Sequence, residues 1–264
     1  MKVALVDNGS LAPAAHAALR AAAAAIAAGA GSAVAAVSWK HSNRIDPRQL
    51  AGGAALTLGP WVRAHVATGE REFLFVPYFI SPQGAIGTSL RRDLETLQAE
   101  TGGFEFSFAD GLSVPTLARI VADQATATMA ARGLRQAEVI VVDHGGPSER
   151  SAAVRDAVAD AVAPLVSPSL VTAASMETPD GPGFAFNRPL LADVLAGADG
   201  PVVIAPLFLS PGRHAGPDGD LARIARAAAP GRACHFAPLV GAHRLAAEAL
   251  TGALVRALGV TSPS

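Results

Sequence analysis

The chain has 264 residues, half of them hydrophobic and 16% charged, with a formal net charge of −1. That is too apolar for a disordered chain, and long enough for one or two domains of about 150 residues each. The balanced charge argues against a nucleic-acid partner, which needs clustered Lys and Arg, and the single cysteine, Cys234, excludes an internal disulfide or a cysteine metal cluster.

Residues 3–6 form the first apolar run, which reads as a buried strand. The run is too short for a signal-peptide core and Asp7 interrupts it, so the expectation is a cytoplasmic protein. Residues 13–28 read as a helix, with Pro13 suited to a first turn. The most apolar long stretch, residues 21–37, is nearly all Ala and Gly, which partition weakly into lipid. Gly29, Gly31 and Ser32 divide it into helix, turn and strand, so no membrane span is expected. Residues 33–39 read as a second strand, 90–100 as a helix after a third strand, and 117–132 as the helix closing the first half. After a join near residues 131–136 the pattern recurs. Helices are expected over 151–165, 219–229 and 245–258, with strands at 139–142, 169–176 and 202–205. Continuous apolar runs such as 139–142 and 202–205 are the mark of parallel strands covered on both faces.

The recurrence is also one of sequence. Val3-Ala4-Leu5-Val6-Asp7-Asn8-Gly9 aligns with Val139-Ile140-Val141-Val142-Asp143-His144-Gly145. Phe75-Val76-Pro77-Tyr78-Phe79-Ile80-Ser81-Pro82 aligns with Ile204-Ala205-Pro206-Leu207-Phe208-Leu209-Ser210-Pro211. Phe108-Ala109 aligns with Phe236-Ala237, and Gly111 with Gly241 across a short insertion. The predicted fold is therefore α/β: two tandem duplicated lobes, residues 1–132 and 133–264, each a four-stranded parallel sheet flanked by helices. In such sheets ligands bind beyond the carboxyl ends of the strands.

At those ends the two halves differ in chemistry. The second half places His144 after its first strand, Glu177 after its second and His214 after its third. The first half has Asn8, Lys40 and Ala85 at the matching places. Read singly, each His is an ordinary loop residue. Together, two imidazoles and a carboxylate suit a divalent first-row metal, and so few ligands leave coordination positions open. His144, Glu177 and His214 are thus the candidate catalytic and metal-binding residues. No Gly-x-Gly-x-x-Gly follows a strand and no Walker loop is present, so no nucleotide or flavin is expected.

These blocks resemble the class II tetrapyrrole chelatases, in particular the sirohydrochlorin cobalto/ferrochelatases of the CbiX type. Pro206-Leu207-Phe208-Leu209-Ser210-Pro211-Gly212-Arg213-His214 matches that family's third-strand motif, and Asp143-His144-Gly145-Gly146 its His-Gly block, with Gly146 in place of the family's Ser. Glu177 stands where the family has an acidic residue. The resemblance implies a two-lobed chelatase; in the family's long members the His pair is expected in the first lobe, whereas here the first lobe is degenerate and the pair sits in the second. The implied reaction inserts Co2+, Fe2+ or Ni2+ into sirohydrochlorin or a related tetrapyrrole, in siroheme or cobalamin synthesis.

On that reading neutral His144 and His214 present the metal from one face of the macrocycle, while Glu177 accepts a pyrrole proton or completes the transient metal site. A cleft between lobes would favour a distorted macrocycle. Arg213, Lys40 and Arg150 are candidate contacts for the substrate's carboxylates, with Arg188, His41 and Arg44 in reserve, because guanidinium pairs carboxylate bidentately. Met176, Phe79, Phe208 and Phe184 are candidates to touch the ring, core packing being the plainer reading for Phe79 and Phe208. Residues 178–184 read as a lid or a surface loop. His243 is a further possible ligand, an ordinary loop histidine being the plainer reading, Cys234 is an inert buried thiol, and His16 and His65 have no assigned role. A tetrapyrrole substrate, no nucleic-acid or membrane partner, and a monomer or homodimer complete the expectation. The rival readings are a non-catalytic metal or tetrapyrrole binder and an α/β phosphate-ester hydrolase.

Overall fold

The apolar runs at 3–6 and 139–142 each lie at the centre of a parallel sheet, with every residue of both runs buried. The structure, a computed structural model, describes residues 1–81 and 84–259. Pro82 and Gln83 of the aligned third-strand block lie outside the described residues. The chain forms two compact units. One comprises Met1–Leu112 and the chain from Ala247 on, the other Ser113–Ala246. Among the described residues no helix is long and apolar enough to cross a membrane.

In the first unit β1 (Lys2–Asp7), α1 (Pro13–Ala30), β2 (Ala35–Ser38), β3 (Leu56–Thr57), α2 (Leu58–Ala67), β4 (Glu72–Pro77), α3 (Ala85–Glu100) and β5 (Glu105–Phe108) follow in order. Its described strands form a five-stranded sheet in the order β3-β2-β1-β4-β5. The two-residue β3 is one strand more than the four expected. It is too short to show a period of two in the sequence. Helix α1 takes Pro13 in its first turn and ends at Gly31, whose φ of 62° provides the left-handed cap. An aromatic cluster fills the core: Trp61, Phe73, Phe75 and Phe104 are all buried, and Phe73 meets Phe104 edge-on at 5.1 Å.

The second unit starts with α4 (Val114–Ala131), which packs on α5 and β8. The compact units thus do not follow the repeat boundary at 132/133. Then come β6 (Glu138–Asp143), α5 (Glu149–Val162), β7 (Val171–Ser175), α6 (Leu191–Gly197), β8 (Val202–Pro206), α7 (Asp220–Ala228) and β9 (Cys234–Phe236), followed by α8 (Arg244–Ala257), which from Ala247 on belongs to the first unit. Its described strands form a four-stranded sheet in the order β7-β6-β8-β9. Helix α5 begins at the Ser148 cap, whose hydroxyl accepts from the Ser151 amide at 3.3 Å. Ile140, Val142, Ile204, Leu191, Leu195 and Leu221 belong to one buried cluster.

Register repeats as well as order. Pro77 and Pro206 end β4 and β8 opposite Val6 and Val142. The next amides, of Tyr78 and Leu207, donate to the Val6 and Val142 carbonyls, both at 2.8 Å. Chain reversal after the first strand is equally matched. Gly9 has φ +85° and Gly145 φ +78°, and a Cβ built there would lie 1.7 Å from the Lys40 carbonyl oxygen and 1.8 Å from that of Glu177. Only glycine tolerates both the backbone angle and the approach.

The polar residues beneath these turns differ. Asp143 accepts from the Ser175 hydroxyl at 2.6 Å and lies 3.7 Å from the Arg155 guanidinium, which is itself 1% exposed and bonded to Ser175 and to the Phe186 carbonyl. In the first unit the residue at the same offset along α1 is Leu19, fully buried. Asp7 therefore lacks a guanidinium, and its Oδ1 has no hydrogen-bond partner among the described residues. Burial pushes the Asp7 carboxyl up from 3.8 to about 6, against hydrogen bonds from Ser38 and Gly9. Burial also raises Asp143, opposed by Ser175, by the Arg155 charge, by the Gly145 amide and by His144.

Two predictions follow from these turns. Gly145→Ala is expected to cost at least about 1–2 kcal/mol for the left-handed backbone alone, read as a lowered urea midpoint, and Gly9→Ala the same. At Asp7 the folded chain keeps a proton that the unfolded chain releases from about pH 4, so its contribution falls as pH rises to about 6. Asp7→Asn is then expected to be more stable than wild type above pH ~6, by about 3 kcal/mol, with the difference gone below pH ~4 in urea titrations across that range.

Candidate metal centre

Strand order sets where side chains can converge. In the second unit β6 is flanked by β7 and β8, so the chain departs in opposite directions from neighbouring strands β6 and β8, the switch point at which α/β sheets bind ligands. His144 leaves β6 there, Glu177 follows β7, and His214 follows β8. Hydrogen bonds from the Met176 amide to the Asp143 carbonyl (2.8 Å) and from the Glu177 amide to the His144 carbonyl (3.1 Å) carry β7's exit alongside β6's. The Gly145 turn lets the two backbones meet.

His144 and His214 stand edge to face, ring centroids 4.6 Å apart at 88°. Glu177 Oε1 lies 3.7 Å from His144 Nε2, and the two side chains are 59% and 45% exposed. His144 Nδ1 lies 2.7 Å from the Gly145 carbonyl oxygen. A carbonyl can only accept, so the proton sits on Nδ1 and the Nε2 lone pair is free. His214 Nδ1 lies 2.6 Å from Asp220 Oδ2, which places its proton on the same nitrogen and frees its Nε2 too. Both imidazoles thus offer the nitrogen suited to a cation. The described residues nevertheless contain no group of three or more His, Cys, Asp and Glu side chains set to hold a metal ion. The three predicted residues are brought together, but not closed around a common point.

Asp220, absent from the sequence expectations, comes from the start of α7. The loop before it folds back on itself: the Asp220 amide donates to the Arg213 carbonyl and the Leu221 amide to the His214 carbonyl, each at 3.1 Å. Gly219 makes this possible, because a Cβ there would lie 2.6 Å from the His214 carbonyl oxygen. Asp220 also pairs with Arg223, and Arg213 Nε lies 3.6 Å away. Burial raises its carboxyl, but the His214 hydrogen bond and the charges of Arg223, His214 and Arg213 outweigh it and hold the group below its usual range. Asn187, likewise unforeseen, is 1% exposed. Its amide bonds the Gly146 carbonyl at 2.9 Å and the Thr178 hydroxyl at 3.3 Å, tying the loop after β7 to the His144 turn.

The remaining candidates separate. Arg213 is at the site and largely exposed, and Arg150 is exposed in the first turn of α5. Lys40 belongs to the first unit, at the place of Glu177. There it sits 3.9 Å over the Trp39 ring and 3.4 Å from Asp93. Arg188 pairs with Asp193 at 3.0 Å. Met176 and Phe79 are buried in the cores of their units, where their side chains pack. Phe208 packs on the core 6.5 Å from the His214 ring, and Phe184 meets Phe186 edge-on at 6.1 Å. His243 is a helix cap: its Nδ1 accepts the Leu245 amide at 3.3 Å, and its Nε2 lies 3.8 Å from Asp123. Cys234 is half-buried, and burial pushes its thiol up, which disfavours the reactive thiolate.

Residues 138–257 match the CbiX family profile, a stretch that contains His144, Glu177 and His214. No curated protein sequence matches the chain. Among solved structures the chain is similar to SirB from Bacillus subtilis with Fe3+, at 16% identity and TM-score 0.66, covering 98% of each chain. It is similar to CbiX, described as the terminal enzyme for biosynthesis of siroheme in denitrifying bacteria, at 20% identity and TM-score 0.67 over 97% of this chain and 99% of that one. It is also similar to the sirohydrochlorin chelatase SirB from Bacillus subtilis subspecies spizizenii in complex with cobalt, at 13% identity and TM-score 0.66 over 96% and 94%. The chain has the fold of these chelatases, and its residues 138–257 are similar to the CbiX family.

Proposed function

We propose that this protein is a metal chelatase that inserts Co2+ or Fe2+ into sirohydrochlorin or a close relative, using His144, His214 and Glu177 of the second unit. One observation carries the reading: two imidazoles 4.6 Å apart each have Nδ1 engaged and Nε2 free, with a carboxylate 3.7 Å from one of them. The cobalt and Fe3+ in the similar structures agree with such donors. Imidazole and carboxylate bind cobalt, iron and nickel alike, so selection among them depends on supply.

The reaction exchanges one divalent cation for two pyrrole N–H protons. Neutral imidazoles hold the incoming cation from one face, and their open arrangement leaves coordination positions for the macrocycle nitrogens. Glu177, exposed and adjacent to His144, accepts one pyrrole proton as the metal–nitrogen bonds form, and the second passes to solvent water. A donor set that is not closed around the ion favours release into the macrocycle, whose four nitrogens then outbid two imidazoles. Arg213, extended into solvent beside His214, supplies a cation for a substrate carboxylate.

His144→Ala and His214→Ala are each expected to abolish metal insertion, followed by absorbance of anaerobic sirohydrochlorin with Co2+, while circular dichroism and melting stay as in wild type. Glu177→Gln is expected to slow turnover by about 10²–10⁴-fold. Undiminished turnover in both histidine variants would reject the site. Metal uptake that stops at one equivalent of product would make the protein a binder and not an enzyme.

A further inference from the structure

Two imidazoles of the same tautomer face each other in the second unit, yet they are held by different means. His144 donates Nδ1–H to the carbonyl of its own neighbour, Gly145, at 2.7 Å, and its side chain is 45% exposed. His214 donates Nδ1–H to the ionised Asp220 carboxylate at 2.6 Å, and is 31% exposed. The Asp220 carboxylate is itself fixed. It pairs with Arg223 and lies 3.6 Å from Arg213 Nε, and its backbone is locked to the Arg213–His214 loop by paired amide bonds across Gly219.

We infer that Asp220 is a positioning residue that makes His214 the anchoring metal donor, leaving His144 as the donor that lets go. This rests on the proposed metal site. An ionised acceptor on Nδ1–H increases electron density at Nε2, so His214 binds a cation more firmly than an imidazole tied to a neutral carbonyl. The carboxylate also removes ring rotation and the wrong tautomer. His144 has its tautomer set by the Gly145 carbonyl but lacks an ionised partner, and it is an exposed side chain whose hydrogen bond runs only to the next residue. A chelatase needs this inequality. Two equally firm donors would retain the ion, while two equally loose ones would not hold it in place for the macrocycle. Glu177 stands beside the looser imidazole, where a proton acceptor is needed as that donor withdraws.

The test uses the full chain and Co2+ alone, with affinity read from cobalt absorption bands and tautomers from ¹⁵N spectra of the histidine rings. In the metal-free wild type His214 is expected as the Nδ1–H tautomer with a strongly downfield Nδ1 proton. Asp220→Ala is expected to lose that proton signal and weaken Co2+ binding about 10–100-fold. Asp220→Asn keeps an acceptor without the charge and is expected to keep the tautomer with an intermediate loss. His214→Ala is expected to weaken Co2+ binding more than His144→Ala. An Nε2–H tautomer for His214 in the wild type overturns the inference without any variant, so it stays testable if Asp220→Ala does not fold. Wild-type Co2+ affinity in Asp220→Asn and Asp220→Ala, alongside weakened binding in His214→Ala, overturns the positioning role alone. Unchanged affinity in His214→Ala overturns the metal site and the inference with it.

Discussion

The carbonyl oxygen of Glu177 occupies the space that a Cβ on Gly145 would need, and the rest of the site is arranged around that approach. The first strand must turn sharply at its end for its neighbour to pass close by. With glycine at φ +78° the His144 carbonyl accepts the Glu177 amide, and a histidine and a glutamate two strands' ends apart become neighbours. The same constraint operates in the first unit, with Gly9 against the Lys40 carbonyl. A bare backbone contact, with no side chain involved, therefore decides where the side chains at these strand ends can meet.

On that common frame the two units carry different polar groups. The second has Asp143, Ser175 and Arg155 bonded beneath the turn, a buried charge that is paired and hydrogen-bonded as burial demands. The first keeps Asp7 and Ser38 but has Leu19 along the helix, so its carboxyl is pushed toward the neutral form. Above the turn, His144, Glu177 and His214 are replaced by Asn8, Lys40 and Ala85. Lys40 there is engaged by Trp39 and Asp93. One unit thus keeps donors facing solvent, while in the other the group at the Glu177 place is turned to local pairing.

On the proposed function, the open geometry of the second unit suits transfer of a metal better than its storage. A structural metal site encloses its ion with four protein ligands. Here the described residues offer two free imidazole nitrogens and one exposed carboxylate, without a closed set. Both Nδ1 protons are engaged, so each ring is held in the one tautomer that directs its lone pair outward. The polar support comes not from the strands but from segments that fold back on their ends: Asp220 from the first turn of α7 and Asn187 from the end of a short 3-10 helix.

The amino-acid sequence by itself determined the duplicated α/β plan, the parallel strands and the identity of the three strand-end residues. Apolar runs such as 139–142, punctuated by His-Gly or Pro-x-Phe-x-Ser-Pro, are local patterns that report burial and termination directly. Some expectations failed where local pattern and packing diverge. Met176 follows a strand as a site residue would, yet its side chain turns into the core, while His243, more plainly a loop residue than a ligand, caps a helix. The short β3 pairs only at the sheet's edge. The tertiary structure alone decided that helix α4 packs with the second sheet, that Asp220 grips His214 and that Asn187 ties two loops together. Those contacts depend on where the chain returns, after six residues for Asp220 and after a whole helix and strand for Asn187. Side-chain identity along the chain carries no record of that return until the backbone has closed around its glycines.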